Sequence, residues 1–468
     1  MSQDTDAPPP LDTEICRRAR LARDARFDGE FFLAVRTTGI YCRPVCPARL
    51  AAEKNVSYFR TSAQAAAAGY RPCLRCRPES VPQSPAWRGS ATTVHRALGM
   101  IEAGALNEQS LANLAERLGV SDRYLRKLFK RELGVSPLAV AQNQRLLFAR
   151  KLLLETNMPI NAVAYAAGYG SVRRFNSAFR DAFHDTPGAF RRGGRQPGRE
   201  RGLISLHLQY RAPYAWQGMF NFLARHAIDG LERVGGETYW RRAQIQGQNF
   251  EFSVSPGKRD RELILDLDLQ DPALLFAAVS RVRRMFDIDA HPAVVAETLA
   301  ADSTLRKLAS AHNGLRSPAH FSPFEAALRA VAGQQVSTSA ARTVLAKIYK
   351  ASATHDFEPS AITRLTDEVF AMPARRRDTI RRVCELFAKK DRVSPEELLA
   401  LRGIGPWTAD MYRLRGLGLT DVMPRGDLGL EQAWEHLGDG RLSLQQAGLT
   451  WRPWRSYAAN LLWRSLSS

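Results

Sequence analysis

The stretch from Leu401 to Asp427 constrains the fold of this chain more than any other. It contains Gly403 and Gly405 with one residue between them, and Pro406 follows directly. Upstream, Ser394 precedes a proline and two glutamates, which is typical of a capped helix N-terminus. A second helix that begins at Pro406 leaves its first backbone N–H groups unpaired and suited to a phosphate. The pattern predicts a helix-hairpin-helix in which Gly403 and Gly405 contact a nucleic-acid backbone.

The same stretch also fits an ordinary helix-loop-helix corner in which Asp427 only caps a later helix. Two further features favour the hairpin: Pro424-Arg425-Gly426-Asp427 follows the glycines, and the C-terminal region is rich in aromatic residues, Trp451, Trp454, Tyr457 and Trp463. With them the chain resembles the helix-hairpin-helix DNA glycosylase superfamily, in particular the 3-methyladenine DNA glycosylase II (AlkA) branch. The resemblance implies that Asp427 is the catalytic carboxylate. We also expect a monovalent cation at the hairpin.

The length and charge of the chain agree with a nucleic-acid partner. Its 468 residues suggest about three domains, and 67 Lys and Arg against 47 Asp and Glu give a net charge of +20. Such a surplus indicates a polyanionic partner, and no apolar run approaches the ~20 residues that span a bilayer. The first residues carry no signal-peptide pattern. We therefore expect a cytoplasmic, nucleoid-associated monomer without a membrane partner.

Four of the six cysteines form two closely spaced pairs. Cys42 and Cys46 have three residues between them, and Cys73 and Cys76 have two. In a cytosolic protein such pairs are typical of a tetrahedral zinc site rather than of disulfides, and a domain of ~70 residues gains much of its stability from the metal. On spacing alone, a purely structural zinc ribbon is the alternative to a reactive site.

The residues around the cysteines distinguish these alternatives. The segments Gly39-Ile40-Tyr41-Cys42-Arg43-Pro44 and Gly69-Tyr70-Arg71-Pro72-Cys73-Leu74-Arg75-Cys76 resemble the N-terminal domain of the Ada methylation-response family, and the similarity extends roughly from Asp28 to Glu79. The resemblance implies that Cys42 accepts a methyl group from a methylphosphotriester in DNA, because zinc keeps sulfur in the nucleophilic thiolate form. It also implies that the DNA backbone is contacted by Thr38, Arg43, Arg49 and Arg71.

An internal repeat follows a Pro- and Ser-rich linker from Val81 to Ser90. Leu114, Ala115, Gly119, Ser121, Leu125, Phe129 and Pro137 recur as Val163, Ala164, Gly168, Ser171, Phe175, Phe179 and Pro187. The offset is 49 residues before the turn and 50 after it, so Gly170 is one inserted residue. Each copy predicts a short helix, a glycine turn and a Ser-capped second helix, which is a helix-turn-helix.

The second helix of each copy is basic. The first copy carries Arg123, Arg126 and Lys127, and the second carries Arg173, Arg174 and Arg180. In isolation such helices are more often solvated faces, but the duplication resembles the AraC-type DNA-binding domain, which also follows the zinc domain in Ada proteins. The resemblance implies that the region from Met100 to Arg192 reads a promoter and has RNA polymerase as a partner.

Beyond a basic linker from Gly193 to Arg199, alternating residues predict strands over Leu203–Tyr210, Phe250–Val254 and Leu263–Leu269. Helical periodicity covers Met219–Ile228 and Leu274–Met285. This α+β segment, with Pro213-Tyr214-Ala215-Trp216 near its start, resembles the N-terminal domain of the AlkA branch as far as about Arg316. From Ser322 the chain is predicted to be helical to its end.

The resemblance assigns further roles in this helical part. Gln334 and Gln335 match the loop that fills the duplex where a base has been expelled, although a polar helix junction is the alternative. Trp407 and Trp463 match aromatic pocket residues that stack on the flipped base, whereas Met411 stands where an aromatic residue is common. No lysine lies between Leu401 and Ala409, so no Schiff-base nucleophile is expected and the enzyme is predicted to be monofunctional.

These observations predict a multidomain, mainly α chain with α+β parts. The expected order is a four-cysteine zinc domain at 1–82, a duplicated helix-turn-helix at 90–192, an AlkA-like α+β domain at 202–316 and a helix-hairpin-helix glycosylase domain at 317–468. The predicted partner is double-stranded DNA, both alkylated and as a specific promoter. The alternative is a transcription regulator whose degenerate glycosylase half only binds DNA. A second methyltransferase centre is not expected, because Cys384 lacks the family's Pro-Cys-His-Arg motif.

Overall fold

A computed structural model of the chain describes residues 12–23, 27, 31–59, 64–65, 68–73, 75–76, 78, 90–102, 104–192, 203–390, 393–438 and 442–466. The chain divides into two compact units between residues 143 and 144. The predicted linker from Val81 to Ser90, apart from Ser90, lies outside the described residues, as does the linker from Gly193 to Arg199. Of the helices in the described part of the chain, none combines the length and apolar character that a bilayer span requires.

The first unit begins with a helix and a small sheet around the paired cysteines. Helix α1 is Thr13–Ala22, and the strands are β1 Phe32–Val35, β2 Ile40–Cys42, β3 Val56–Phe59 and β4 Arg71–Pro72. Their order is β3-β1-β2-β4, in which only β2 and β4 pair in parallel. Since β2 ends at Cys42 and Cys73 directly follows β4, this parallel pair brings the two halves of the cysteine motif together.

The same unit contains the first helix-turn-helix. Its helices are α2 Ser90–Glu102, α3 Ala105–Glu108, α4 Leu111–Arg117 and α5 Asp122–Leu133. Gly119 takes φ +70° in the turn, and the Ser121 hydroxyl accepts a hydrogen bond from Tyr124 N at 3.2 Å, which caps α5. The long helix α6, Pro137–Glu155, continues into the second unit.

The second helix-turn-helix repeats this local structure within the second unit. Helix α7 is Ile160–Ala166, α8 is Val172–Phe183 and α9 is Pro187–Arg192. Gly168 takes φ +79°, and the Ser171 hydroxyl accepts from Arg174 N at 3.3 Å. The repeated sequence pattern therefore produces the same turn and the same cap twice.

A five-stranded antiparallel sheet comes next. The strands are β5 Ile204–Gln209, β6 Glu232–Gly235, β7 Thr238–Ile245, β8 Gln248–Pro256 and β9 Glu262–Leu267, in the order β5-β9-β8-β7-β6. Apolar residues of helices α10, Trp216–His226, and α11, Leu275–Met285, pack in the same core as the sheet. Strands β5, β8 and β9 and both helices lie where the sequence predicted them, whereas β6 and β7 were not predicted.

The second helix-turn-helix shares this core. The rings of Phe148 and Phe276 lie 5.1 Å apart, and helix α7 contacts the 3-10 turn Pro272–Leu274. At the edge of the sheet, the Glu155 carboxylate accepts from His207 N at 2.8 Å. Apolar residues of α6, α7 and α8 belong to one buried cluster with those of strands β5 to β9. In this unit the second helix-turn-helix and the sheet therefore share one buried core.

The remainder of the second unit is helical. Its helices are α12 Pro292–Leu299, α13 Ser303–Ala311, α14 Pro323–Ala332, α15 Thr338–Ser352, α16 Pro359–Thr363, α17 Ala374–Lys389, α18 Pro395–Leu399, α19 Pro406–Met411, α20 Leu428–Leu437, α21 Leu444–Ala447 and α22 Arg455–Ser465. Helix α14 lies in the middle of one core, and its side chains are almost all buried. Helices α20 and α22 pack in another core with α12 and α13.

The hairpin has the local structure that the sequence predicts. Ser394 forms a reciprocal capping box with Glu397 at the start of α18, and Gly405 is the N-cap of α19. Gly403 takes φ +97°, and a Cβ atom there would lie 2.0 Å from Thr379 Oγ1, so only glycine fits. Helices α18 and α19 therefore meet through a turn that requires a glycine.

Candidate active site and metal centre

The Asp427 carboxylate is held by three hydrogen bonds. It caps α20 by accepting from Leu430 N at 2.9 Å, it accepts from Trp407 Nε1 at 2.8 Å, and it accepts from Trp463 Nε1 at 3.0 Å. Asp427 therefore does cap a helix, as the alternative interpretation of the sequence predicted, but this does not exclude a second role. Two indole donors from α19 and α22 orient the carboxylate through side-chain contacts that capping does not need.

A cavity of about 500 Å³ opens beside this carboxylate. Its lining includes Asp427, Trp407, Trp463 and Met411, as well as Phe222 from helix α10 of the α+β segment. Both tryptophans that the sequence assigned to a pocket thus lie in its wall. A cavity of this volume accommodates a small aromatic ligand, with one carboxylate at its edge.

Arg415 is buried in the wall of the cavity, and no sequence pattern indicated it. Its guanidinium donates to Pro318 O at 2.7 Å and to Asn460 Oδ1 at 2.9 Å, and it lies 4.7 Å from the Phe222 ring centroid and 5.2 Å from that of Trp463. Burial lowers the pKa of Arg415 to about 9, while the charge of Asp427 opposes this shift. Arg415 therefore remains a cation at neutral pH and fixes the faces of two rings.

The segment that carries Asp427 is tied to the hairpin by Asp410. The Asp410 carboxylate is buried in α19, and it accepts from Arg425 N at 3.3 Å, from Arg425 Nε at 2.7 Å and from Arg413 at 2.8 Å. Since Arg425 lies two residues before Asp427, these bonds hold the approach to the carboxylate. Sequence reasoning missed Asp410, because an acidic residue in a helix has no distinctive pattern.

The structure separates the two glutamines that the sequence treated as a pair. Gln334 Nε2 donates to Gly403 O at 3.0 Å and to Thr408 Oγ1 at 2.9 Å, so its side chain is used inside the hairpin, as a polar helix junction would use it. Gln335 is exposed and takes φ +55° in the turn before α15. Of the two glutamines, only Gln335 is exposed.

The four paired cysteines form one cluster in the first unit. All four are buried, and their sulfur atoms lie within 4.8 Å of one another, with Cys46 Sγ 3.9 Å from Cys73 Sγ. Tetrahedral Zn–S bonds of ~2.3 Å place neighbouring sulfur atoms at ~3.8 Å, so the donor set and spacing fit zinc. Arg43 N donates to Cys76 Sγ at 3.4 Å, the kind of contact that stabilises a thiolate ligand.

A second cavity, of about 510 Å³, lies against this cluster. Cys42 lines it together with all four residues that were assigned to DNA backbone contacts, Thr38, Arg43, Arg49 and Arg71. The lone cysteines lie elsewhere in buried cores, and burial raises the pKa of Cys384 to about 12, which fits a packing role. Three of the four clustered cysteines, Cys42, Cys46 and Cys73, therefore line a cavity that also has cationic side chains in its wall.

The basic side chains of the helix-turn-helix units are exposed. Arg123, Arg126 and Lys127 lie on the outer face of α5, and Arg126 lies 3.8 Å from Asp122 in a solvent-accessible ion pair. Arg173 and Arg174 lie exposed in the first turn of α8. The inward residues of both helices are apolar, so the two faces are clearly segregated.

Three segments of the chain match described families. Residues 15–79 match the metal binding domain of Ada, residues 114–193 match a helix-turn-helix domain, and residues 205–322 match the AlkA N-terminal domain. The matched ranges contain the cysteine cluster, the repeated turn and the five-stranded sheet, respectively. The predicted fusion is therefore confirmed.

Whole-chain similarity supports the same conclusion. The chain is 39% identical to the probable bifunctional transcriptional activator/DNA repair enzyme AlkA of Mycobacterium tuberculosis, over 97% of both chains. It is 36% identical to the bifunctional transcriptional activator/DNA repair enzyme Ada of Escherichia coli, over 37% of this chain and 48% of the relative. It is 25% identical to DNA-3-methyladenine glycosylase 2 of Escherichia coli, over 55% of this chain and 95% of the relative. The chain therefore belongs to the family of bifunctional transcriptional activators and DNA repair enzymes that join an Ada-type metal-binding domain and a helix-turn-helix to an AlkA-type glycosylase.

Proposed function

We propose that this chain is a monofunctional glycosylase for alkylated purines of the 3-methyladenine class, coupled to a methylphosphotriester-sensing transcriptional activator. One observation supports the enzymatic role above all: two indole N–H groups orient the Asp427 carboxylate at the edge of a base-sized cavity. A half that only bound DNA would not need this arrangement. The family relationship also favours the repair enzyme over a degenerate glycosylase half.

The proposed reaction uses Asp427 without a partner acid. A base flipped from the duplex stacks on Trp407 and Trp463, and a cationic alkylpurine gains cation–π attraction there. The bond between C1′ and the base breaks, and its electron pair neutralises the departing base. The Asp427 carboxylate stabilises the positive charge that develops on the sugar and orients the water that adds to C1′. The proton that this water loses passes to solvent.

The lining of the cavity favours hydrolysis over strand cleavage. Among the described residues that line it there is no lysine, so no amine is available to form a Schiff base with the sugar. Arginine side chains do line the cavity, but a guanidinium group is a poor nucleophile. We therefore propose water as the nucleophile and no lyase activity.

The contacts with damaged DNA are assigned to the hairpin and the exposed turn. Gly403 and Gly405 bring backbone N–H groups close to a phosphate, with a monovalent cation as a further ligand of the hairpin. Gln335 fills the space left by the flipped base, and Gln334 supports it by holding the hairpin. Expelling a base costs a few kcal/mol, and a side chain in its place offsets part of that cost.

The sensing function is assigned to the cysteine cluster. Cys42, Cys46, Cys73 and Cys76 would hold Zn²⁺, which keeps their sulfur atoms as thiolates. The Cys42 sulfur forms a bond to the methyl carbon of a methylphosphotriester while the methyl–oxygen bond breaks, leaving a phosphodiester anion. Thr38, Arg43, Arg49 and Arg71 position the DNA backbone in the adjoining cavity.

The regulatory function is assigned to the two basic helices. Arg123, Arg126 and Lys127 of α5 and Arg173 and Arg174 of α8 would enter the major groove of a promoter. We propose a monomer that recruits RNA polymerase there. The functional segments are residues 1–82, 90–192, 202–316 and 317–468.

One experiment tests both activities. The protein is incubated with DNA that carries methylated bases and methylphosphotriesters, released bases are identified by chromatography, and the cysteine cluster is analysed by mass spectrometry. Release of 3-methyladenine with one added methyl group on the Cys42 peptide is expected. If no methylated base were released, the glycosylase activity would be excluded. A methyl group on another cysteine would exclude Cys42 as the acceptor.

A further inference from the structure

His226 lines the active-site cavity, and nothing above assigns it a role. It is the last residue of helix α10, where its carbonyl accepts from Arg329 at 2.6 Å. Its ring stacks on Phe222 with centroids 4.2 Å apart, and Nδ1 lies 2.8 Å from Phe222 O. Both the backbone and the ring of His226 are therefore held in place.

The local contacts decide which ring nitrogen carries the proton. A carbonyl oxygen only accepts hydrogen bonds, so the short contact with Phe222 O places the proton on Nδ1. Burial, and to a lesser extent the positive charges of Arg415, Arg329 and Arg225, lowers the pKa of His226 to about 3, so the ring is neutral at physiological pH. Nε2 then carries a lone pair, and it has no hydrogen-bond partner among the described residues.

His226 and Asp427 line the same cavity, and three other side chains connect them through a series of contacts. Trp463 donates to Asp427, Arg415 lies over both the Trp463 and Phe222 rings, and Phe222 in turn stacks on His226. The sugar bond of a bound purine must lie near Asp427. A purine bound with its sugar bond there can present the opposite ring edge, which carries the 6-substituent, to His226 in the same cavity.

We propose that His226 selects adenine-type lesions by accepting a hydrogen bond from the 6-amino group of the flipped base through Nε2. This proposal rests on the proposed glycosylase function. Guanine and hypoxanthine present a carbonyl oxygen at position 6, which would face the lone pair of Nε2 and leave both acceptors unsatisfied. A site built to receive a donor discriminates strongly against an analogue that lacks it.

The test compares two bases released from the same DNA. DNA methylated at N3 of both purines yields 3-methyladenine and 3-methylguanine, whose excision rates are measured in one reaction under single-turnover conditions. In His226→Phe the stacking ring is kept and the acceptor is lost. The ratio of adenine to guanine excision is expected to fall at least about fivefold relative to wild type. The excision ratio of the variant is divided by that of the wild type. This division cancels the difference in intrinsic lability between the two lesions.

The chain offers a matched control. His436 on α20 makes the same contact, with Nδ1 2.7 Å from Gln432 O one turn earlier, but it is exposed and outside the cavity. His436→Phe should leave the ratio unchanged. A second measurement needs no variant: free 3-methyladenine should inhibit the wild-type enzyme at least about fivefold better than free 3-methylhypoxanthine. If His226→Phe does not fold, the difference in inhibition between the two free bases tests the proposal by itself.

The outcomes distinguish this inference from the function on which it rests. A wild-type protein that releases no methylated base refutes the proposed function, and the role of His226 falls with it. If the wild type releases both bases, equal ratios in His226→Phe and wild type, or equal inhibition by the two free bases, refute the role of His226 alone. A lower ratio together with selective inhibition supports it.

Discussion

The carboxylate of Asp427 accepts from two indoles and one backbone amide, so its shape is reproduced by an asparagine but its charge is not. We expect Asp427→Asn to lower single-turnover excision at least about a hundredfold, because charge on the sugar would lose its counter-charge. DNA affinity should remain within about twofold, since it depends mainly on phosphate contacts. Excision and gel-shift assays check the two quantities. Near wild-type excision of 3-methyladenine by the variant would disprove the assignment.

Asp410 does not line the cavity but binds Arg425, so we expect it to affect the site through Arg425. Asp410→Asn loses the charge that holds Arg425 and Arg413, so the approach to Asp427 should become less ordered and kcat should fall about tenfold or more with a smaller change in KM. Asp367 is a suitable control, because its carboxylate also lies between two arginines, Arg377 and Arg381, and it does not line the cavity. An equal loss of kcat in Asp367→Asn would show a general effect of charge removal.

Sequence reasoning was most successful where a role follows from one residue in a short pattern. Asp427, Trp407 and Trp463 were selected from motifs, and the structure brings the three side chains together. Arg415 and His226 were missed, because their roles depend on burial and on neighbours from distant helices, and an isolated arginine or histidine does not indicate them. Gln334, which bonds inside the hairpin, and Gln335, which is exposed, could not be distinguished from the sequence.

Strand β7 shows how an element escapes prediction. Tyr239, Ala243 and Ile245 alternate inward as expected of a strand, but the inward position between Tyr239 and Ala243 is Arg241, which is fully buried. Its guanidinium reaches Glu325 at 2.9 Å and Asp356 at 2.9 Å, which lie 84 and 115 residues further along the chain. A charged residue in the core breaks the apolar alternation, and partners that distant are invisible to a local pattern.

The same ion cluster joins the sheet to helix α14. Burial by itself raises the pKa of Glu325, but Arg241 and Arg329 outweigh this effect and hold its pKa well below the usual value. Arg241→Met would leave buried carboxylates with too few positive partners, so we expect the free energy of unfolding to fall by about 3 to 5 kcal/mol. Urea titration measures this change. Lys350→Met removes an exposed pair with Asp229 and should change stability by less than about 1 kcal/mol.

The pH dependence of this variant follows from the same pKa shifts. In the wild type the depressed pKa of Glu325 contributes stability above the unfolded pKa of the side chain, and this contribution is lost as the pH falls. Without Arg241 the buried carboxylates are expected to have raised pKa values and to bind protons more readily when folded. The stability deficit of Arg241→Met should therefore shrink from pH 7 towards pH 5. A deficit that grows in this range would contradict the proposed electrostatic role.

The turn between α14 and α15 makes a separate prediction about base flipping. Gln335→Ala should slow excision from duplex DNA several-fold more than excision from single strands, because only a duplex must be kept open. Gln334→Ala removes bonds to Gly403 and Thr408 instead, so it should weaken binding to both substrates. Rates measured on the same lesion in both contexts separate these effects. Equal losses on both substrates in Gln335→Ala would indicate a pocket role.

At the scale of the molecule, one methyl group is expected to change promoter affinity. A four-thiolate zinc site carries a formal charge of −2, and methylation of Cys42 leaves −1. Beside phosphates at ~5 Å this change is worth about 1 to 3 kcal/mol at an effective dielectric constant of ~20 to 80, or roughly a five- to hundredfold gain in affinity. Promoter binding measured before and after exposure to methylated DNA tests this expectation.

The matched variant for this prediction is Cys42→Ser. It should lose methyl transfer and the inducible increase in affinity, and it should keep base excision through Asp427. A methylated protein that binds the promoter no more tightly than before would contradict the charge mechanism. Removal of zinc by a chelator should abolish methyl transfer and unfold the cluster, since a metal can contribute on the order of 10 kcal/mol to a small domain.

The packing of the second helix-turn-helix against the five-stranded sheet has a consequence for how such a chimaera behaves. Phe148, Leu152 and Phe175 lie in one buried cluster with strands that belong to the repair half. The two parts of this fusion are not independent domains joined by a linker. Separating them would expose apolar side chains of both to solvent. The second helix-turn-helix and the repair half share one solvent-free interior, so we expect a substitution in that core to destabilise both.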